Sequence, residues 1–227
     1  MASDSLEAFY HAVDEVEDLQ RADRTPVGGP PNDPTLTRVV GRASVVLLSS
    51  HFERYLYGVN EEATDAVNGW VVAGAALPMR LRLLHSRSSI DGMVETAWER
   101  RGDHLERFIQ NEAWLWGGEA RGALDHERLL SWMKSPTPQN VVKFYKFWGI
   151  KDIFSSVTRA VHTRTEMRLK LDELVRKRNN IAHGDSSTEA TASDVASYRA
   201  ATLRFCERAD RKLGTTVGRI TGSQMPW

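Results

Sequence analysis

The sequence predicts an all-α fold, a helical bundle, on three observations. Apolar residues recur at three-and-four spacing through most of the chain, and no strand-length run shows convincing apolar/polar alternation. Prolines, glycines and Ser/Thr caps fall where helices start and stop. With 227 residues, 41% of them hydrophobic and 26% charged, the chain is long enough for one sizeable core. The expected organisation is one domain over residues 1–227, carrying a Trp-rich helical insertion over residues 60–153 and a mobile tail over 214–227.

Taken in order, Leu6, Phe9, Tyr10, Val13 and Val16 mark a first amphipathic helix from about Ser5 to Asp23. Thr25 to Pro34 holds four prolines and two glycines, a connection that no helix crosses. A second helix runs from about Thr35 or Thr37 to Tyr57 or Gly58, apolar around much of its circumference and therefore central. The middle of the chain shows short helical patterns near Leu77 to Leu84, Met93 to Trp98, Leu105 to Trp116, Glu127 to Met133 and Gln139 to Trp148. It holds six of the seven tryptophans, which read as core residues before they read as a stacking platform for bases. Thr137 and Pro138 form a cap and first position for the helix that follows. A long helix is expected from Val157 to His183, then a polar loop. Thr191 and Asp194 then open a last helix with the pattern of a capping box.

Charge and cysteine content narrow the function. Thirty basic residues balance thirty acidic ones, so any nucleic-acid contact must be local rather than driven by a global field. The lone Cys206 excludes an intrachain disulfide framework and a Cys-rich zinc site, and it reads as a small core residue. No apolar run approaches the roughly 20 residues of a membrane span, so no membrane partner is expected. Without a leader pattern the chain fits a reducing cytoplasm.

The chemically suggestive stretch is Leu171 to Asp185. Counting about 100° per residue from Arg178, the side chains of Met167, Leu171, Leu174, Val175, Ile181 and Ala182 lie within roughly 60° of it. Arg178 thus sits in an apolar stripe, where its permanent charge requires an anion, either a carboxylate or a ligand phosphate. Glu53, on the core side of the second helix, is the candidate carboxylate, with pairing to Arg54 or water as its alternative. Asn179 and His183 share an adjacent face, and Gly184 stands where a left-handed residue stops a helix. A second Arg-x4-His match, Arg121 to His126, straddles glycine in a poorly patterned segment and carries less weight. Gly-rich phosphate loops, Cys/His zinc spacings, HExxH, EF-hand and nucleophile-elbow patterns are absent. Ser49 and Ser50 read as close-packing positions.

The stretch Leu174 to Asp185 resembles the R-x(4 to 6)-H signature of HEPN domains, including the polar Asn after the Arg. Val46 to Leu56 resembles the early bundle helix of the RiboL-PSP-HEPN branch, and Pro136 to Ile150 is similar to the segment before its last two helices. The likeness covers the second helix and roughly residues 136–213. It implies a HEPN-like bundle that dimerises across a two-fold axis and, in active members, cleaves RNA without metal or other cofactor. Arg178, Asn179 and His183 would then be catalytic, with Glu53 and Asp185 supporting. A toxin or antiphage role follows from the same likeness, with an antitoxin or regulatory protein as a further partner. The alternative is a catalytically silent HEPN-like interaction module, in which Arg178 is a buried brace held by Glu53 and His183 merely favours the helix dipole.

Overall fold

The computed structural model describes residues 2–24, 33–70, 72–117, 122–223 and 227. The breaker-rich residues 25–32 and Arg121 of the second Arg-x4-His match lie outside the described residues. Among the described residues there are ten α-helices, two short 3-10 turns and no strand.

α1 (Asp4–Arg24) buries Leu6, Phe9, Val13 and Val16, one every three or four residues, against α2. α2 (Pro34–Gly69) begins with Pro34 at its first position, and the Asp33 carboxylate accepts the Thr35 N–H. α2 is 36 residues long and passes straight through the expected stop at Gly58. That glycine marks a close approach rather than an end: a Cβ there would lie 2.3 Å from Ser5 Oγ of α1. Beyond it Val59, Ala63 and Val67 continue the buried stripe at four-residue spacing.

The middle of the chain folds as α3 (Met79–His85), α4 (Arg87–Glu95), α5 (Arg101–Trp116) and α6 (His126–Leu130). Leu115, Leu129 and Leu130 belong to the same hydrophobic core as α1 and α2, and Trp148 Nε1 donates to Asn60 Oδ1 at 3.3 Å. Trp148 and Trp114 are buried, and Trp116 and Trp132 pack on the core. Trp70 and Trp98 depart from the core reading, Trp98 being 77% exposed.

α7 (Pro138–Phe147) starts on the Thr137 cap, whose side chain accepts the Asn140 N–H. The long helix expected from Val157 to His183 is a single helix that starts four residues later, and Val157 instead ends a short helix before it. α8 (Ile153–Val157) is capped by Asp152 and ends in extended backbone at Thr158, before α9 (Val161–Ala182) begins. α10 (Ala192–Thr221) packs on α2 and α9.

The mobile tail expected over 214–227 is corrected over its first part: residues 214–221 are the last turns of α10. Val217 and Gly218 are buried and extend the stripe of Phe205, Ala209 and Leu213, and Gly222 ends the helix at φ 74°. Trp227 packs against this end, and a Cβ on Gly214 would lie 3.3 Å from its ring. Residues 224–226 lie outside the described residues. Cys206 is fully buried on α10, where burial pushes its thiol up well beyond the ordinary range. None of the described helices is long and apolar enough to cross a membrane.

Candidate functional site

The end of α9 is fixed by its own backbone. Gly184 takes φ 84°, its N–H reaches Ile181 O at 3.1 Å, and the Asp185 N–H reaches Asn180 O at 3.0 Å. These are the paired hydrogen bonds of a Schellman stop, which needs a residue free of the Cβ penalty at the left-handed position. His183 is therefore the last residue before the turn, with its side chain exposed.

Arg178 projects from the preceding turns as a half-buried side chain, 31% exposed. The expected carboxylate is beside it but does not take it up. Glu53 Oε2 stands 3.9 Å from Arg178 Nη2, beyond hydrogen-bonding distance. Burial pushes the Glu53 carboxyl up, and this outweighs the downward pull of the Arg178 charge. Arg178 Nη1 donates instead to Asn179 Oδ1 at 3.1 Å. A guanidinium carries five N–H donors. Among the described residues this is its one hydrogen bond, so most of its donors stay open.

Asn179 thus holds Arg178 rather than His183, whose backbone N–H bonds Asn179 O at 2.9 Å. The three residues share the end of α9, with Arg178 at the seam with α2, Asn179 half-buried beside it and His183 exposed. About 140° of helix separates Arg178 from His183. One copy of α9 does not converge both side chains on a point.

Asp185 serves the loop beyond. Its carboxylate accepts the Ser187 N–H at 2.8 Å, Ser187 Oγ at 2.7 Å and Thr188 Oγ1 at 2.6 Å. These donors hold its carboxyl down at about 2. Sequence reasoning missed what pins this loop to α2. Arg42 Nη1 donates to Asp185 O at 2.8 Å and Thr188 O at 2.7 Å, and Arg38 Nη2 donates to Ser186 O at 2.7 Å. Between these arginines Gly41 lets the loop touch the helix, since a Cβ there would lie 2.0 Å from Ala190 O. A glycine flanked by arginines inside a helical pattern was the available signal, and it names no partner. The capping box at Thr191 and Asp194 closes the loop, with Lys177 Nζ of α9 reaching Asp194 Oδ2 at 2.9 Å.

The arrangement offers an exposed imidazole, an amide and an underused guanidinium on a firmly stopped helix end. That set suits an anionic ligand bearing an ionisable hydroxyl. Among the described residues no group of three or more His, Cys, Asp or Glu side chains is placed to hold a metal ion.

The fold and this helix end together define a HEPN-type bundle. A model of the RiboL-PSP-HEPN family matches residues 7–215, and the chain belongs to that family. The matched range spans the Trp-rich middle, which the likeness of the individual motifs leaves out. No curated protein and no solved structure matches the chain.

Proposed function

We propose that the protein is an endoribonuclease that uses the RNA 2′-hydroxyl as nucleophile and needs no metal. The observation that carries this reading is Arg178, left half-exposed because Glu53 stops short of it at 3.9 Å. A guanidinium fully paired to Glu53 would be a brace; this one retains donors for a phosphate.

In the proposed step His183 takes the proton from the 2′-hydroxyl, whose oxygen attacks the adjacent phosphorus. The P–O5′ bond breaks, the departing 5′ oxygen takes a proton, and a 2′,3′-cyclic phosphate remains. Arg178 meets the charge that builds on the non-bridging oxygens, and Asn179 holds Arg178 in place. Because Arg178 and His183 diverge on one helix, a two-fold dimer supplies the second motif that gathers both types of side chain around one phosphate. Toxin or defence activity, restrained by a partner protein, is the setting proposed for such an enzyme.

The test is incubation of purified protein with total RNA and tRNA in EDTA, followed by mapping of the new ends. Cyclic phosphate at the 3′ ends supports the reading. Intact RNA leaves the silent HEPN-like binding module.

A further inference from the structure

The charges of α9 are unevenly used. Lys170 pairs with Glu173 at 2.8 Å, Lys177 pairs with Asp194 at 2.9 Å, and Glu166 lies 3.9 Å from Arg204. Among the described residues Arg164, Arg168 and Arg176 pair with no carboxylate. Counted from Arg178, these three fall at about 40°, 80° and 160° around the helix, on the side of Asn179 and His183 at about 100° and 140°. The paired Lys170, Lys177, Glu166 and Glu173 fall on the opposite side. Asp172 is the one carboxylate of α9 on the arginine side.

On that arginine side lies a groove of about 570 Å³ between α9 and the start of α7, lined by Arg164, Arg168, Leu169, Asp172, Gln139 and Asp152. Arg164 and Arg168 stand one helical turn apart along it. The Arg168 guanidinium also lies 5.6 Å from the Phe154 ring centroid, which limits its freedom without neutralising it. The Asp152 carboxylate is engaged with the Phe154 N–H as the cap of α8. Within the groove Asp152 and Asp172 offset Arg164 and Arg168, and the excess of positive charge belongs to this flank of α9 as a whole, where Arg164, Arg168 and Arg176 share the side with one carboxylate, Asp172.

We infer that this groove is a second RNA contact, in which Arg164 and Arg168 hold phosphates of a single strand whose other end lies at Arg178 and His183. The inference rests on the motif being an RNA site, and not on its being catalytic. At about 1.5 Å per residue, Arg168 and Arg164 lie about 15 and 21 Å along the axis from Arg178. That is roughly four to six nucleotides if the strand stays stacked at about 3.4 Å per step. A tetranucleotide bound at the motif falls short of both arginines; a dodecanucleotide reaches them.

The experiment measures binding in the full-length His183→Ala protein, so that cleavage does not enter, using labelled single-stranded RNAs of 4 and 12 nucleotides. Removing two phosphate contacts by Arg164→Ala/Arg168→Ala is expected to weaken the 12-mer about tenfold at moderate salt and to lower its salt slope by about 1.4. The 4-mer should bind the two proteins equally. Both side chains reach solvent, so melting curves are expected to coincide and to exclude misfolding. Equal 12-mer affinity and slope in the two proteins overturns the inference and leaves the arginines to an acidic protein partner. Absence of RNA binding to the parent also overturns it. Groove-dependent binding by a wild type that cleaves nothing retains the inference and removes the nuclease.

Discussion

Glu53 Oε2 stops 3.9 Å from Arg178 Nη2, while Arg178 turns Nη1 to Asn179 at 3.1 Å. A carboxylate left half-buried without a hydrogen bond from its cation gains little from the charge and loses solvation. Glu53→Gln is therefore expected to change the unfolding free energy by less than about 1 kcal/mol at neutral pH, with the sign toward stabilisation. The sign follows from linkage. The folded-state carboxyl titrates higher than the unfolded one, so the ionised form costs stability above the folded pKa, and that cost vanishes below the unfolded pKa. Denaturant unfolding of both proteins across this range checks it. A loss of 2 kcal/mol or more from Glu53→Gln at neutral pH makes the pair a brace.

The loop after the motif should depend on its clamp to α2. Arg42→Ala removes two hydrogen bonds to the Asp185 and Thr188 carbonyls and is expected to cost about 1–3 kcal/mol. Gly41→Ala drives a Cβ toward the Ala190 carbonyl and is expected to cost at least as much. Hydrogen exchange should show the damage as faster exchange at residues 184–191. Unchanged protection there in Arg42→Ala contradicts the clamp.

Gly184 presents the opposite case. No atom lies within 4 Å of a Cβ built on it, so the whole cost of Gly184→Ala comes from its φ of 84°. About 1–2 kcal/mol is expected, measurable by chemical denaturation. A neutral result contradicts the Schellman stop as the device that fixes His183.

Asp185 gives a pH prediction. Its carboxyl is held down at about 2 by Ser187 and Thr188, so its contribution to stability is fully present above the unfolded value and lost as pH falls toward 2. The melting temperature of the wild type should exceed that of Asp185→Asn at pH 6 and converge with it in strong acid. A difference that persists in acid assigns the effect to something other than the ionised carboxylate.

What the sequence made legible were the features encoded within one turn of the chain. The Thr137 and Pro138 start, the Thr191 capping box, the Gly184 stop and the stripe of α1 all depend on neighbours three or four residues apart. What it hid depends on distant partners. Gly58 resembles a stop until Ser5 is placed against it, and Gly41, Arg38 and Arg42 acquire a role only when the loop at 184–190 arrives. Arg178 was legible as a charge needing an anion, whereas the 3.9 Å gap to Glu53 is a property of how α2 and α9 pack. In the same way the buried His85 and Glu112, with the exposed Arg128 reaching Glu112 at 3.2 Å, join α3, α5 and α6, and no local spacing announces it.

The central claim concerns the open guanidinium and the imidazole beyond it. The direct measurement is the rate of RNA cleavage in EDTA by wild type, Arg178→Ala and His183→Ala at equal concentration, with folding verified by melting. If His183 moves the proton and Arg178 meets the phosphate, each substitution should lower the rate by about 100-fold or more. Cleavage that survives either substitution contradicts the account.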